Sequence, residues 1–231
     1  MKIMHIKAEI EEDIIPAIKK NLANIPNKIG LLTTVQHISQ LGKVKEFLES
    51  KGKKAYTGKS KKTSYPGQVL GCDFEAANSI TEDVDKFLYI GTGRFHPLGV
   101  VMYTGKEVMA INPITKETRT YTKKDTEKIE KKRKGALLKF YSSKKIGILV
   151  STKLGQNKMK QALKLKEELN KKGKEAYLFI TDILDFSEME NFPFIDCYVN
   201  TMCPRIGIDD TIRTEKPMIN IEDITELGDN R

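Results

Sequence analysis

Two of the three cysteines in this 231-residue chain sit in segments built to present a side chain rather than bury it. Cys72 closes Gly67-Gln68-Val69-Leu70-Gly71-Cys72, where flanking glycines let the backbone turn tightly and approach a bulky group. Cys203 opens Cys203-Pro204-Arg205, where proline removes one N–H and stiffens the turn while arginine supplies a fork of donors. A thiolate with a cation and backbone amides beside it suits a soft metal or an iron–sulfur cluster. Taken singly, a free cysteine is more often a small buried hydrophobe. No Cys-x-x-Cys zinc spacing is present, so a shared centre requires the fold to gather segments far apart in sequence. Cys197 lies six positions before Cys203 inside an apolar run, and alternation alone leaves its face open.

Other polar groups cluster in a few short stretches. Gly91-Thr92-Gly93-Arg94-Phe95-His96 has the look of a phosphate-cradling loop, but it lacks the third glycine and shows no clear following helix, so it reads equally as a tight strand-to-loop turn. His37, after Thr33-Thr34-Val35-Gln36, reads as a ligand, a base or a hydrogen-bonding residue at a helix start. Asp209 and Asp210 suit a cation or a cap, and His5 precedes any motif.

The elements that must position these residues follow from an internal repeat. Lys28-Ile-Gly-Leu-Leu-Thr-Thr-Val35 resembles Lys145-Ile-Gly-Ile-Leu-Val-Ser-Thr152, and each apolar run reads as a buried parallel strand. An amphipathic helix follows each, with Leu41, Val44, Phe47 and Leu48 on one face of the first and Met159, Ala162, Leu163, Leu165 and Leu169 on the second. Both helices stop at Lys-Gly-Lys, at Gly52 and Gly173, where glycine can take the left-handed cap. Both then enter a strand through Ala-Tyr. The likeness resumes between Asp85 to Arg94 and Asp196 to Arg205. This pattern predicts two similar three-layer α/β domains with parallel sheets, related by duplication and covering residues 1–113 and 114–231. A charged helix near 124–141, with its apolar stripe at Ile129, Ala136, Leu137 and Phe140, opens the second. Ligands of open parallel sheets bind beyond the carboxyl ends of strands. That points to Thr33–His37, Gly67–Cys72, Gly91–His96, Ser151–Gln156 and Met202–Asp209.

Composition bounds the partners. Forty Lys and Arg against 31 Asp and Glu give +9, an excess that can attract nucleic acid or an acidic protein. The basic residues are interleaved with glutamates at helical spacing, as in Glu127/Lys131 and Glu130/Lys134, and Trp is absent, which argues against a single-strand nucleic-acid groove. No apolar run reaches the roughly 18 residues of a membrane span, and the first residues lack a signal-peptide core. Three cysteines do not make a disulfide scaffold, so a cytoplasmic protein without membrane or direct nucleic-acid contact is expected.

Together these segments resemble the diphthamide synthase family. The matching stretches are Thr34-Val35-Gln36-His37, Gly67 to Cys72, Gly91 to His96, Ser151 to Gln156 and Cys203-Pro204-Arg205-Ile206-Gly207-Ile208-Asp209. The resemblance implies three related α/β domains, each giving one cysteine to a 4Fe–4S cluster whose open iron binds S-adenosylmethionine. It implies transfer of a 3-amino-3-carboxypropyl group, as a radical, to a histidine of translation elongation factor 2. Carried over, Cys72 and Cys203 are the second and third cluster ligands. Arg94 and Arg205 are candidates for the methionine carboxylate, and Gln36, His37 and His96 for the pocket wall; no catalytic residue is assigned. The archaeal family form is a homodimer. The family's first domain, with its Tyr-Gly-Ala-Cys segment, is not found here, so the chain is expected to be a fragment or a shortened form with weak cluster binding alone. A non-catalytic partner-binding relative and a quinolinate-synthase-like iron–sulfur enzyme are the alternatives.

Overall fold

The computed structural model describes residues 6–10, 12–208 and 214–228, the side chains of 225–228 excepted. His5, Asp209 and Asp210 lie outside the described residues. The chain forms two compact units, Met1–Glu127 and Lys128–Arg231. Among the described residues, no helix is long and apolar enough to cross a membrane.

The first unit runs α1 (Ile15–Lys20), β1 (Lys28–Thr33), α2 (Gln40–Ser50), β2 (Lys54–Tyr56), α3 (Glu75–Asn78), β3 (Lys86–Ile90), α4 (Phe95–Thr104), β4 (Val108–Ile111) and β5 (Thr118–Tyr121). Its sheet has the order β2-β1-β3-β4-β5. β1 to β4 are parallel, while β5 pairs antiparallel with β4, so the sheet is mixed rather than wholly parallel. Asn112 makes this reversal possible. Its Oδ1 accepts from the N–H groups of Ile114 and Thr115, and the backbones of Asn112 and Lys116 bond across the turn. Because the hairpin returns residues 114–121 to this sheet, the first unit extends past Pro113, where a boundary was expected, to Glu127.

One face of this sheet is buried by α1 and α2. Ile18 of α1 and Leu41, Val44 and Leu48 of α2 meet Ile29, Leu31, Leu88 and Ile90 in a single core cluster. Burying each such side chain contributes about 1.5–3 kcal/mol. α3 packs against β1 and α4 against β4.

The second unit contains most of α5 (Lys123–Ser142), then β6 (Lys145–Ser151), α6 (Met159–Lys171), β7 (Glu175–Thr181), β8 (Cys197–Asn200), β9 (Met218–Asn220) and α7 (Ile221–Gly228). Its strands are all parallel, in the order β7-β6-β8-β9. This is the order of β2-β1-β3-β4. Ala136, Leu137 and Phe140 of α5 and Ala162, Leu165 and Leu169 of α6 bury one face of the sheet. Leu163, expected on that stripe, is 45% exposed, one position off the helical period. The other face is covered by a 3₁₀ turn at Ser187–Asn191 and an aromatic cluster of Phe179, Phe186, Phe192 and Tyr198.

The repeat extends into the packing. In β1 a Cβ added at Gly30 would lie 2.5 Å from the Phe87 ring, and in β6 one at Gly147 would lie 2.5 Å from the Tyr198 ring. Each glycine thus makes room for the aromatic residue paired with it on the next strand. Asp85 accepts from the N–H of Lys28 at 3.3 Å, and Asp196 from those of Lys144 and Lys145 at 3.0 and 2.9 Å, tying each central strand to its neighbour at the same point. Gly52 and Gly173 hold φ of 75° and 74°, the expected left-handed caps. The lysine after each glycine reaches back to the preceding segment: Lys53 to the Ile25 carbonyl, and Lys174 to the carbonyls of Phe140, Tyr141 and Ser143 at the end of α5.

Candidate functional site

In the first unit, the carboxyl end of β1 collects three of the expected segments. β2 is only three residues long, so the chain leaves the sheet after Tyr56 and a later stretch takes the vacant place. Gly67–Val69 completes it: the Thr33 N–H donates to the Gly67 carbonyl at 2.8 Å and the Val69 N–H to the Thr33 carbonyl at 2.9 Å. Gly67 itself has φ of 74°, a conformation that favours glycine. The chain then folds into a four-residue turn in which Leu70 and Asp73 exchange both backbone hydrogen bonds, at 3.1 and 3.2 Å. Cys72 rides this turn and is exposed.

The turn is clamped from below. Asp73 is buried; one of its carboxylate oxygens accepts from the Glu75 N–H at 2.9 Å and the other from the hydroxyl of buried Ser60. Ser60 also lies 3.1 Å from the Glu75 carboxylate. Gly71 packs against Phe95, where an added Cβ would lie 3.1 Å from the ring, so the cysteine turn and the Gly91–His96 loop meet.

That loop closes the crevice between β1 and β3, where the strand order changes direction. A helix does follow it, contrary to the reading from spacing: α4 starts at Phe95, with Arg94 in the N-cap position. An apolar sequence with few polar residues on one side hid it, because α4 is buried on most of its surface. Tyr89 lies over Gly91, a Cβ at which would sit 2.5 Å from the phenol oxygen. The Tyr89 hydroxyl is 3.3 Å from His96 Nδ1, and the two rings stack with centroids 5.8 Å apart. Burial pushes the Tyr89 phenol far above its usual pKa, against a smaller opposing effect of a hydrogen bond with Thr34. Tyr89 therefore stays a neutral hydroxyl. Arg94 is exposed at this rim, and so is Gln36, whose carbonyl receives the Ile10 N–H at 2.9 Å. His37 behaves otherwise. It is 3% exposed, its Nδ1 has no hydrogen-bond partner among the described residues, and burial lowers its pKa, so it is held neutral in the core.

The second unit offers its cysteine by another route. Cys203 follows β8 and is half-buried. Two buried asparagines hold its loop. Asn200 accepts from the Met202 N–H at 3.0 Å and donates from Nδ2 to the Cys203 carbonyl at 2.9 Å and to Asn220 Oδ1 at 2.7 Å. Asn220 donates to the Pro204 carbonyl at 3.0 Å, and its backbone N–H donates to Asp223, which pairs with Arg133. Arg205 is exposed on the turn beyond. Strand register places Thr92 of the first unit at the position of Cys203, and Arg94 at that of Arg205. Cys197 is fully buried in the sheet core, and burial pushes its thiol up to about 12, so it is a packing residue whose side chain faces the helices α5 and α6. At the end of β6, Ser151 accepts from the Lys153 N–H and Thr152 donates to Asp182.

Asn200, Asn220, Ser60, Asp73 and Tyr89 were not singled out from sequence. Polar asparagines ending the apolar runs of β8 and β9 were the available signal.

Comparison with known proteins bears on these loops. A family described as diphthamide synthesis proteins matches residues 1–226. The 2-(3-amino-3-carboxypropyl)histidine synthase of Pyrococcus horikoshii is 38% identical over 218 residues, covering 93% of this chain and 62% of that protein. The enzyme of the same name from Methanocaldococcus jannaschii is 34% identical over 79% of this chain and 55% of its own length. A crystal structure of Dph2 from Pyrococcus horikoshii with a 4Fe–4S cluster superposes with a TM-score of 0.83 at 35% identity, over 96% of this chain and 64% of that one. The chain thus spans less than two thirds of the length of these relatives.

Proposed function

Because this chain belongs to the diphthamide synthesis protein family, we propose that it supplies two α/β units of a 2-(3-amino-3-carboxypropyl)histidine synthase, which modifies a histidine of translation elongation factor 2 using S-adenosylmethionine. The observation that carries the reading is that each unit presents one accessible thiol on a hydrogen-bonded turn at the carboxyl end of its sheet. Soft sulfur donors on rigid turns fit iron, and the relative solved with a 4Fe–4S cluster shares this fold. Cys72 and Cys203 would each hold one iron, with a further ligand from outside this sequence.

When bound, such a cluster supplies the electron that breaks a carbon–sulfur bond of S-adenosylmethionine. The residues of this chain position and protect. Arg94 and Arg205, at equivalent points of the two units, offer guanidinium forks to the methionine carboxylate. Gln36 and His96 line the rim. Tyr89 fixes His96 through its hydroxyl and its ring, and His37 supports the rim from within the core. The homodimeric assembly of the family and a cytoplasmic setting belong to the same proposal.

The test is anaerobic reconstitution with ferrous iron and sulfide, with the remainder of a full-length relative supplied in trans. Brown colour and bound iron should appear, fall sharply in Cys72→Ala and Cys203→Ala, and persist in Cys197→Ala. A colourless product, or iron uptake indifferent to both accessible cysteines, would count decisively against the assignment.

A further inference from the structure

The positive charge of the chain is concentrated in one layer of the second unit. Residues 128–174 carry sixteen Lys and Arg against three Glu, while the rest of the chain carries 24 Lys and Arg against 28 Asp and Glu. A general richness in lysine would spread the excess along the sequence; here this one stretch holds all of it. These residues form most of α5, then β6 and α6, and both helices lie on the same face of the sheet. From Glu175 to Pro204, a stretch that includes the turn over the opposite face, there are six carboxylates and no Lys or Arg. The second unit is therefore basic on its α5–α6 face and acidic on the other.

Little within the layer offsets this charge. Of its three glutamates, Glu168 lies 3.8 Å from Lys164. Arg133 and Lys158 are taken up by Asp223 and Glu222 of α7, and Lys174 by the carbonyls at the end of α5. Other lysines stand in outward rows: Lys128, Lys131, Lys134 and Lys139 are exposed on α5, and Lys160 and Lys171 on α6. Like charges three or four residues apart destabilise a helix, so these rows do nothing for the fold. They also frame apolar surface. Leu138 follows Lys134 by one turn and Lys131 by two, and is 66% exposed; Tyr141 and, on α6, Leu163 are exposed too.

Two features favour an acidic protein over nucleic acid as the partner. All but one of the sixteen cations are lysines, and the exception, Arg133, is engaged by Asp223, so phosphates meet no outward guanidinium fork. A phosphate backbone would also leave Leu138 in water, whereas a protein face can bury it. We propose that the α5–α6 face docks an acidic protein surface, with the lysine rows drawing in its carboxylates and Leu138 making the apolar contact. An apolar centre within complementary charge gives such a patch both speed and selectivity of association. No cysteine turn takes part, so the inference stands apart from the proposed function.

Fluorescence anisotropy of the chain with labelled probes tests it. The probes are a helical peptide with a leucine stripe flanked by glutamates, the same peptide with serine for each leucine, and single-stranded and duplex RNA of matched charge. The glutamate–leucine peptide should bind most tightly and the leucine-free peptide several-fold more weakly, both losing affinity as salt rises. Lys131→Glu combined with Lys134→Glu should weaken the first peptide about tenfold or more. Leu138→Ser should weaken it several-fold and leave the leucine-free peptide unchanged. Lys20→Glu combined with Lys43→Glu, on the first unit, makes the same change in net charge and should have little effect. All these residues are exposed, so thermal unfolding of the variants should match the parent. The inference is overturned if no acidic peptide binds, if either RNA binds more tightly than the glutamate–leucine peptide, if the first-unit pair weakens binding as much as the α5 pair, or if Leu138→Ser has no effect. Because the opposite face is acidic, a second copy is the rival occupant. Light scattering that shows self-association abolished by the α5 pair would assign the face to that copy and overturn the inference as well.

Discussion

Asn220→Ala should loosen the Cys203 loop more than any surface substitution in the second unit. The change deletes the hydrogen bond to the Pro204 carbonyl at 3.0 Å and the acceptor for Asn200 Nδ2 at 2.7 Å. Asn200 and Asn220 are 1% and 3% exposed, so water does not readily replace either partner. Each bond is worth about 1 kcal/mol net, and a buried group left without a partner costs about 1–3 kcal/mol more. Asn200 Nδ2 keeps its bond to the Cys203 carbonyl, which reduces the second cost. The expected loss is roughly 2–4 kcal/mol. Urea denaturation should therefore show a lower midpoint at unchanged slope. Hydrogen exchange should report the site itself, through faster exchange of the Met202 and Ile206 amides, which bond to Asn200 and to the Cys203 carbonyl. A double-mutant cycle with Asn200→Ala should give a coupling above about 0.5 kcal/mol, since the two amides share one network. Coupling near zero, with Met202 and Ile206 exchanging at the parent rate, would refute the clamp.

Three further outcomes are expected. Gly147→Ala should destabilise the second unit by about 1–3 kcal/mol through overpacking against Tyr198, and Tyr198→Leu in the same chain should recover part of it, both read by chemical denaturation. Because burial lowers the pKa of His37, its contribution to stability is complete above the unfolded-state value of roughly 6.5. It is lost as pH falls towards the depressed folded value, so His37→Gln should flatten the parent's loss of stability below about pH 6.5 in thermal melts. Iodoacetamide followed by peptide mapping should modify exposed Cys72 first, Cys203 more slowly and Cys197 only on unfolding; early modification of Cys197 would contradict its place in the core.

The repeat was legible because its determinants are local. Gly30 and Gly147 in apolar runs, the Lys-Gly-Lys stops, and Asp85 and Asp196 before the paired strands each leave a mark in the sequence. What stayed hidden depends on tertiary placement. The boundary shifted from Pro113 because β5 pairs back onto β4, and an antiparallel edge strand of four residues carries little periodicity. α4 escaped notice because both its faces are apolar, which erases the helical stripe. Cys72 and Cys203 stood out by their glycine and proline neighbours. Asn200 and Asn220 hold the second of them from strands that meet only after folding, so no spacing links the two. Cys197, in an apolar strand, needed the structure to show which way it faces.

The three-residue β2 sets the two halves of the repeat apart. β7, its counterpart, runs for seven residues and lines the whole of β6. In the first unit the detour after Tyr56 brings in a separate stretch at the matching height, and that stretch delivers Cys72. The two sulfurs therefore stand at non-equivalent places of the repeated scaffold, Cys72 on the excursion that follows β2 and Cys203 at the position that Thr92 holds in the first unit, which leaves the two loops free to be retuned one at a time.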